Sequence, residues 1–292
     1  MLLGYAYWRF WQMRGHLREG RARLDTILAM PGARDDAAAR ACGLEAAGGV
    51  AYWQGDMEAA GVYYEENLAL ARDTGDPHQI ANALYNASFP FQITMLDIPR
   101  AQTLLEEAVP IYRRLDDERG YAQCLWALGQ TYFRGNATEK AIEPLEQAIA
   151  IFRRLGDRFG LGWALYVRAI LALRLYDTQT AKRDDLEALR IFAEAEDVTA
   201  PVLILAGLAA VARDEGDNVR AARLAGAAEG QEAATGAGLG SLISGREGWL
   251  APEHPSVEEE AAIAEGRAMT LQQAIDYALS ADADEHHLVG RV

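Results

Sequence analysis

A repeat of about 40 residues, present six times, limits what this chain can fold into more than any other feature. Small anchor residues recur with spacings of 40, 41, 40, 40 and 40, at Gly20, Ala60, Ala101, Ala141, Ala181 and Ala221. An acidic loop residue recurs with spacings of 41, 40 and 40, at Asp76, Asp117, Asp157 and Asp197. Each series has one spacing of 41 residues, and these two longer intervals overlap at residues 76–101. One extra residue therefore lies in that stretch. A fixed period of this length predicts stacked structural repeats, which serve as binding scaffolds.

The fourth repeat shows most clearly that the unit is a helix hairpin. Its first half carries residues at i, i+3, i+4 and i+7, namely Leu125, Leu128, Gly129 and Tyr132. This spacing places them on one face of a helix. Gly135-Asn136 interrupts the pattern, which resumes from Ala141 to Phe152. Alternating β-branched runs are absent from the sequence, so we expect an all-α protein.

Capping residues support the same division of the chain. Gly156 is a predicted C-cap, and Asp157 is a predicted N-cap of the next helix. Asp76-Pro77 fits an N-cap followed by proline in the first helical position. Thr270 and Gln273 have the spacing of a capping box near the C-terminus.

Composition excludes several classes of partner. The 292 residues are 50% hydrophobic and carry a formal net charge of -15, so phosphate backbones and anionic membranes should be repelled. No segment has 18 uncharged apolar residues in a row, so we expect no membrane span. Cys42 and Cys124 lie two repeats apart and are interpreted as small buried residues. The expected location is the cytoplasm.

Some residues depart from the repeat. Pro90 falls inside a predicted first helix and should bend or break it. Asp184 and Asp185 occupy second-helix positions that are apolar in other repeats, so either the helix rotates or the carboxylates reach water or a partner. Residues 236–257 are rich in glycine and proline and are predicted to form a loop.

The repeats resemble tetratricopeptide repeats. The matching residues are Leu125-x2-Leu128-Gly129-x2-Tyr132 followed by Ala141-x3-Leu145-x2-Ala148. The usual period is about 34 residues, shorter than the one found here. The longer form, with Arg-Arg-Leu-Gly-Asp at 153–157, resembles the C-terminal sensor region of bacterial LuxR-type and adenylyl-cyclase-type signalling ATPase regulators. Residues 8–24 and 265–279 also resemble segments of that family.

The resemblance implies a right-handed α-solenoid of about six hairpins plus a C-terminal helix. We expect a superhelix over residues 1–235, a loop over 236–257, a helical cap over 258–280 and a disordered tail over 281–292. It also implies that an N-terminal ATPase domain on a parent chain is a candidate partner. The first helix begins at Met1 without a cap, and we therefore expect that the chain could be the detached end of such a regulator.

Recognisable catalytic, metal and cofactor motifs are absent from the sequence. Neither Lys140 nor Lys182 lies in a GxxxxGK[ST] phosphate loop, and the five histidines show no metal-ligand spacing. His286-His287 lies among carboxylates but is better explained by a solvated tail. We therefore predict a protein that is not an enzyme and has no cofactor.

Aromatic and arginine side chains on the first helices are the best candidates for a binding site. In tetratricopeptide stacks the first helices line the concave face, which suits capture of a peptide or helix. The alternative is that individual aromatic residues only pack against the neighbouring repeat. The predicted concave-face residues are Tyr52, Trp53, Tyr85, Phe89, Trp126, Gln130, Phe133, Arg134, Tyr166 and Arg174.

Three functions remain open at this point. The leading hypothesis is a non-catalytic interaction scaffold or sensor module, whose ligand is a protein, a peptide or a small effector. The second is the effector-binding region of a truncated signalling regulator. The third is self-association through residues 2–11, whose apolar side chains would form a large patch if uncovered.

Overall fold

The computed structural model describes residues 1–236 and 254–289, with side chains described up to residue 280. Within these residues the protein is entirely helical, as the sequence predicts. A 3₁₀ turn, Pro31–Arg34, precedes α3. The helices are α1 (Leu2–Met13), α2 (Leu17–Leu28), α3 (Ala37–Trp53), α4 (Met57–Thr74), α5 (Pro77–Thr94), α6 (Ile98–Arg114), α7 (Glu118–Arg134), α8 (Thr138–Leu155), α9 (Arg158–Arg174), α10 (Thr178–Glu194), α11 (Ala200–Asp214), α12 (Asn218–Thr235), α13 (Val257–Arg267) and α14 (Leu271–Val289).

The first twelve helices form six consecutive hairpins, which confirms the repeat count. All six anchor residues lie in second helices and are buried, from Gly20 in α2 to Ala221 in α12. A small residue is needed at this position because the two helices of a hairpin approach closely. At Gly20, an added Cβ would lie 2.8 Å from the Trp11 ring. The spacing of the anchors therefore reflects a packing requirement that each hairpin repeats.

The predicted caps are confirmed. The Asp76 carboxylate accepts hydrogen bonds from the backbone N–H of His78 and Gln79 at the start of α5. Asp157 caps α9 by accepting from Gly160 N–H at 3.0 Å. Gly156 ends α8 with φ of 67°, a left-handed conformation that glycine adopts without steric cost. The helix boundaries therefore follow from local hydrogen bonding.

The described chain divides into two compact units. The first contains residues 1–12 and 16–167, and the second contains residues 13–15 and the described residues from 168 onward. In the first unit, α2 packs on α3, α4 on α5 and α6 on α7, so each hairpin covers the next. Its core includes Leu84, Leu105, Tyr112 and Leu128. Burial of these apolar faces between hairpins is the main source of stability in a stack of this kind.

The second unit continues the hairpin pattern and ends in two further helices. α10 packs on α11, and α12 packs along α13. Gly226 and Gly266 permit this close approach, because an added Cβ at either residue would meet the backbone of the facing helix. The sequence predicts a C-terminal helix within a helical cap over 258–280, and the structure has α13 and α14 there, with a turn between Arg267 and Leu271. The Thr270–Gln273 capping box starts α14, as predicted.

Several sequence expectations need correction or fall outside the description. Of the bend or break expected at Pro90, the break is wrong, since α5 runs from Pro77 to Thr94 and Pro90 is buried within it. The hairpin packing around the helix outweighs the loss of one N–H. Cys42 is only partly buried, whereas Cys124 is buried as expected. Residues 237–253 of the predicted loop lie outside the described residues. The predicted tail lies partly outside them, and the backbone of α14 extends to Val289.

The α10 helix does not rotate to expose its two aspartates. Its anchor Ala181 and its apolar residues Leu189 and Phe192 remain buried, and so do Asp184 and Asp185. Asp184 accepts two hydrogen bonds from Arg168, at 2.6 and 3.0 Å. Asp185 Oδ1 has no hydrogen-bond partner. Asp184 is therefore paired inside the protein, whereas burial of Asp185 with an unsatisfied oxygen lowers stability.

Candidate functional site

One position of the repeat carries a side chain with hydrogen-bonding capacity in five consecutive first helices. The residues are spaced by 40, 41, 40 and 40 and belong to the first unit: Tyr5, Glu45, Asn86, Trp126 and Tyr166. We call them the inner column. They lie on α1, α3, α5, α7 and α9. Because the hairpins repeat with this period, equivalent positions lie on the same face of successive first helices.

Aromatic rings join neighbouring helices beside the inner column. The Phe89 ring lies 5.5 Å from Tyr52, 4.9 Å from Tyr85 and 5.7 Å from Trp126, measured between centroids. Tyr85 and Trp126 are 6.4 Å apart. These are ordinary distances for stabilising aromatic pairs. The rings of α3, α5 and α7 thus form one continuous aromatic surface.

The same face brings together hairpins that are distant in sequence. Trp53 of α3 packs on Trp163 of α9 with a centroid separation of 5.3 Å. The Arg9 guanidinium of α1 lies 3.9 Å from the Trp8 centroid and 5.1 Å from the Phe159 centroid. Arg9 thereby makes cation–π contacts on both sides. We refer to this surface, with the inner column, as the inner face of the first unit.

Glu45 is the acidic group of the inner face. Its carboxylate accepts a hydrogen bond from Asn82 Nδ2 at 2.8 Å and lies 3.5 Å from the Tyr5 hydroxyl. Burial raises the pKa of Glu45, while the Asn82 hydrogen bond and the charge of Arg9 oppose that shift. Burial and the nearby Glu45 carboxylate also raise the pKa of Tyr5 to about 12. Glu45 is therefore a partly desolvated carboxyl group that is surrounded by the polar side chains of Asn82, Tyr5 and Arg9.

Among the buried polar atoms of α5 and α7 that lack a hydrogen-bond partner, three belong to the inner column or lie one helical turn from it. They are the donors Asn86 Nδ2 and Trp126 Nε1 and the acceptor Gln130 Oε1. Asn86 lies near enough to Glu45 to favour its charged form, yet its Nδ2 meets no acceptor in hydrogen-bonding geometry. Leaving such a buried group unsatisfied costs about 1–3 kcal/mol. Together they offer two donors and one acceptor, the complement of a peptide group's C=O and N–H.

The predicted site residues fall into three classes in the structure. Tyr52, Tyr85 and Trp126 are half-buried, and burial raises the pKa of Tyr52 and Tyr85 above that of a free tyrosine. Arg174 is exposed and belongs to the second unit, so it is not placed with the others. The buried residues are Trp53, Phe89, Gln130, Phe133, Arg134 and Tyr166.

Sequence reasoning missed the polar members of the inner face. Glu45, Asn82 and Asn86 were not predicted, because the expected binding surface rested on aromatic and arginine side chains. Trp163 was also missed, since its contact with Trp53 joins helices more than 100 residues apart. Reading the 40-residue register for polar residues would have identified Glu45 and Asn86. No comparable signal exists for Trp163.

Over 1–236 and 254–289, no cluster of three or more His, Cys, Asp or Glu side chains is arranged to hold a metal ion. In the same part of the chain, none of the helices has both the length and the apolar character required to cross a bilayer.

Comparisons with known proteins support the repeat assignment. Residues 95–154, which cover α6, α7 and most of α8, match the tetratricopeptide repeat family model. A search of curated proteins gives no match. The likeness to the LuxR-type and adenylyl-cyclase-type regulators is therefore not shown by these comparisons.

Solved structures show the fold at low sequence identity. BtubC (BKLC) from P. vanneervenii is 18% identical, with a TM-score of 0.52 over 76% of this chain and 90% of that chain. A Rap protein, solved as a complex with Competence and Sporulation Factor, is 18% identical, with a TM-score of 0.63. That match covers 73% of this chain and 58% of the Rap chain.

Proposed function

We propose that this protein is a non-catalytic interaction module that binds an extended peptide segment on the inner face of its first unit. The observation that carries the proposal is the set of unpartnered atoms, Asn86 Nδ2, Trp126 Nε1 and Gln130 Oε1. Side-chain amides and an indole N–H on neighbouring helices suit the main chain of a peptide, which presents alternating donors and acceptors.

The aromatic surface beside these atoms supports the same function. Tyr85 and Trp126 are half-buried, and each combines a large apolar area with a polar atom. Residues of this kind contribute much of the binding energy at protein interfaces. An interaction role is consistent with the match of residues 95–154 to tetratricopeptide repeats. It is also consistent with the likeness to a Rap protein solved with a bound factor.

Binding on this face requires a local rearrangement. Gln130 is buried, and Trp53 packs on Trp163 between distant hairpins. A bound segment would loosen such ring contacts and replace them with its own. We therefore expect the helices that line the inner face to separate when the ligand binds. The ligand would stabilise this open arrangement over the closed one.

A peptide library displayed on phage tests the proposal with the full chain as bait. Trp126→Phe removes the indole N–H while keeping a smaller aromatic ring, and Asn86→Ala removes the amide; each should weaken binding of a selected peptide about 10-fold. Gln147→Ala is the matched control, because it removes an exposed amide on α8. Equal affinity for wild type, Trp126→Phe and Asn86→Ala would place the binding elsewhere.

A finer proposal is that the module serves as the sensor of a bacterial signalling regulator. It is supported by the resemblance of residues 8–24 and 153–157 to such regulators and by the likeness to the Rap complex. In that setting the ligand is a peptide or a small effector, and an ATPase domain would share the parent chain. The reading frame upstream of Met1 tests this: an in-frame GxxxxGK[ST] motif supports it, and a frame without one counts against it.

A further inference from the structure

Glu45 is the charged member of the inner column. It lies on α3, with Tyr5 of α1 at the equivalent position 40 residues before it and Asn86 of α5 at the position 41 residues after it. Glu45 and Asn86 are both half-buried, so a ligand on the inner face can contact them. The inner face therefore offers a negative charge next to the unpartnered Asn86 Nδ2.

Neutral side chains make the hydrogen-bonding contacts of Glu45. Asn82 Nδ2 donates to Oε2 at 2.8 Å. The Tyr5 hydroxyl lies 3.5 Å from Oε1, which is longer than the usual O–H···O distance of about 2.7–2.8 Å. An ionised carboxylate can accept about four hydrogen bonds. Glu45 Oε1 is therefore weakly engaged and keeps the capacity to accept a hydrogen bond from a ligand.

A neighbouring acid shows the contrast. Glu66 of α4 forms an ion pair with Arg40 at 2.6 Å. The charge of Arg9 favours the ionised form of Glu45, but the Arg9 guanidinium stacks 3.9 Å from the centroid of the Trp8 ring. Arg9 thus acts on Glu45 through its charge, whereas Arg40 contacts Glu66 directly.

A cation from the ligand would complete the surroundings of Glu45. A partly buried carboxylate is costly unless it is paired, and a pair in such a site is stronger than one in bulk water. The formal net charge of -15 also attracts basic ligands and repels acidic ones. The local and the overall charge therefore favour the same class of ligand.

We propose that the peptide bound on the inner face carries a lysine or arginine side chain that pairs with Glu45. This pairing rests on the proposed function, because Asn86 and Trp126 hold the main chain of the peptide beside Glu45. The ammonium or guanidinium donates to Glu45 Oε1, while Asn86 Nδ2 donates to a peptide carbonyl. Because an extended chain rises about 3.3 Å per residue, the basic residue lies within about two residues of that carbonyl.

The affinity of a library-selected peptide for the full chain tests the pairing. The basic residue of the peptide is replaced by a neutral counterpart, norleucine for lysine or citrulline for arginine. This replacement should weaken binding to the wild type by about 10-fold or more. Glu45→Gln should weaken binding of the basic peptide by a similar factor and leave binding of the neutral peptide nearly unchanged, which is the coupling expected of a direct pair.

Glu146→Gln is the matched control, because it removes the same charge from an exposed position on α8. It should weaken binding of the basic peptide by about 2-fold or less, since exposed distant charges are screened. Far-UV circular dichroism checks that each variant is folded. Unchanged affinity of Glu45→Gln for the neutral peptide shows that the rest of the site is intact.

Different results would overturn the pairing and the proposed function. Peptide binding that needs Asn86 and Trp126 but no basic residue would overturn the pairing alone. The same holds for a loss in Glu45→Gln that is equal for the basic and neutral peptides, or no larger than the loss in Glu146→Gln. A library that yields no peptide, or binding that is indifferent to both Asn86→Ala and Trp126→Phe, would overturn both.

Discussion

The second helices α8 and α10 carry opposite chemistry at the same position of the repeat. Leu145 in α8 and Asp185 in α10 are 40 residues apart, and both are buried. Leu145 lies against Gly129 of α7, the first helix of its own hairpin, where an added Cβ would lie 2.5 Å from Leu145 Cγ. Asp185 lies against Gly207 of α11, the first helix of the next hairpin, where an added Cβ would lie 2.5 Å from Asp185 Oδ2. The repeat thus preserves burial at this position, while the residue and the helix it packs against both change.

The difference has an energetic consequence. Leu145 contributes apolar burial, whereas Asp185 brings a carboxyl group that lacks a partner at Oδ1. Burial, and then the nearby Asp184, raises the pKa of Asp185 well above that of a free aspartic acid. Hairpin stacking tolerates this cost because many other buried contacts fix the backbone of α10. Four substitutions test this comparison.

The largest effect is expected from moving the acid into α8. Leu145→Asp should lower the free energy of unfolding by about 4 kcal/mol or more, because it removes apolar burial and adds an unpaired carboxyl group. Urea unfolding followed by circular dichroism measures the change. Leu145→Met is the matched control and should lose far less. An Asp variant as stable as the Met variant would mean that the position is not buried as described.

The reverse substitution should stabilise the second unit. Asp185→Leu replaces a buried carboxyl group by the residue type found in α8 and should raise the free energy of unfolding by about 2 kcal/mol. Hydrogen exchange of α10 amides localises the gain. Destabilisation by Asp185→Leu would show that the carboxyl group has a role that its surroundings do not reveal.

A pH series isolates the charge of Asp185. Because the folded pKa is raised, the native state holds this proton more tightly than the unfolded state does. Its contribution to stability is therefore full below the ordinary value of about 3.9 and is lost as pH rises through the folded pKa, with a slope of at most about 1.4 kcal/mol per pH unit. Asp185→Asn should remove this component. Identical pH profiles for wild type and Asp185→Asn would contradict the raised pKa.

The smallest effect concerns the contact with Gly207. Gly207→Ala should cost about 1 kcal/mol in the wild type, because the new methyl group meets Asp185 Oδ2. In an Asp185→Ala background the same change should be neutral or stabilising, since alanine favours helix. A double-mutant cycle measures the coupling. Additive effects would show that the two residues do not share the space.

The fold was largely predictable because its determinants are local and periodic. The anchors Gly20 to Ala221, the Asp76 and Asp157 caps and the Thr270–Gln273 capping box all follow from spacing and residue type. The continuity of α5 through Pro90 was not predicted, because local propensity does not include the packing of the helix around it. Asp184 and Asp185 show the same limit, since nothing in the local pattern reveals that only Asp184 is paired by Arg168.

The candidate site was predictable only in outline. The register indicated which helices face inward, and the aromatic residues of α3, α5 and α7 do lie together. Contacts such as Trp53 with Trp163 depend on how far the hairpin stack turns within the first unit, which no short-range pattern encodes. The unpartnered atoms of Asn86, Trp126 and Gln130 depend on rotamers as well as on position.

The Trp126 indole N–H gives the most direct test of the central claim that the inner face binds a peptide. The chain has six tryptophans, and ¹⁵N-labelled protein should show an indole resonance for each. The resonance of Trp126 is assigned by its loss in Trp126→Phe. Addition of a library-selected peptide should shift this resonance downfield, because Nε1–H then donates to a peptide carbonyl. Saturating peptide that leaves the Trp126 resonance in place would contradict the account.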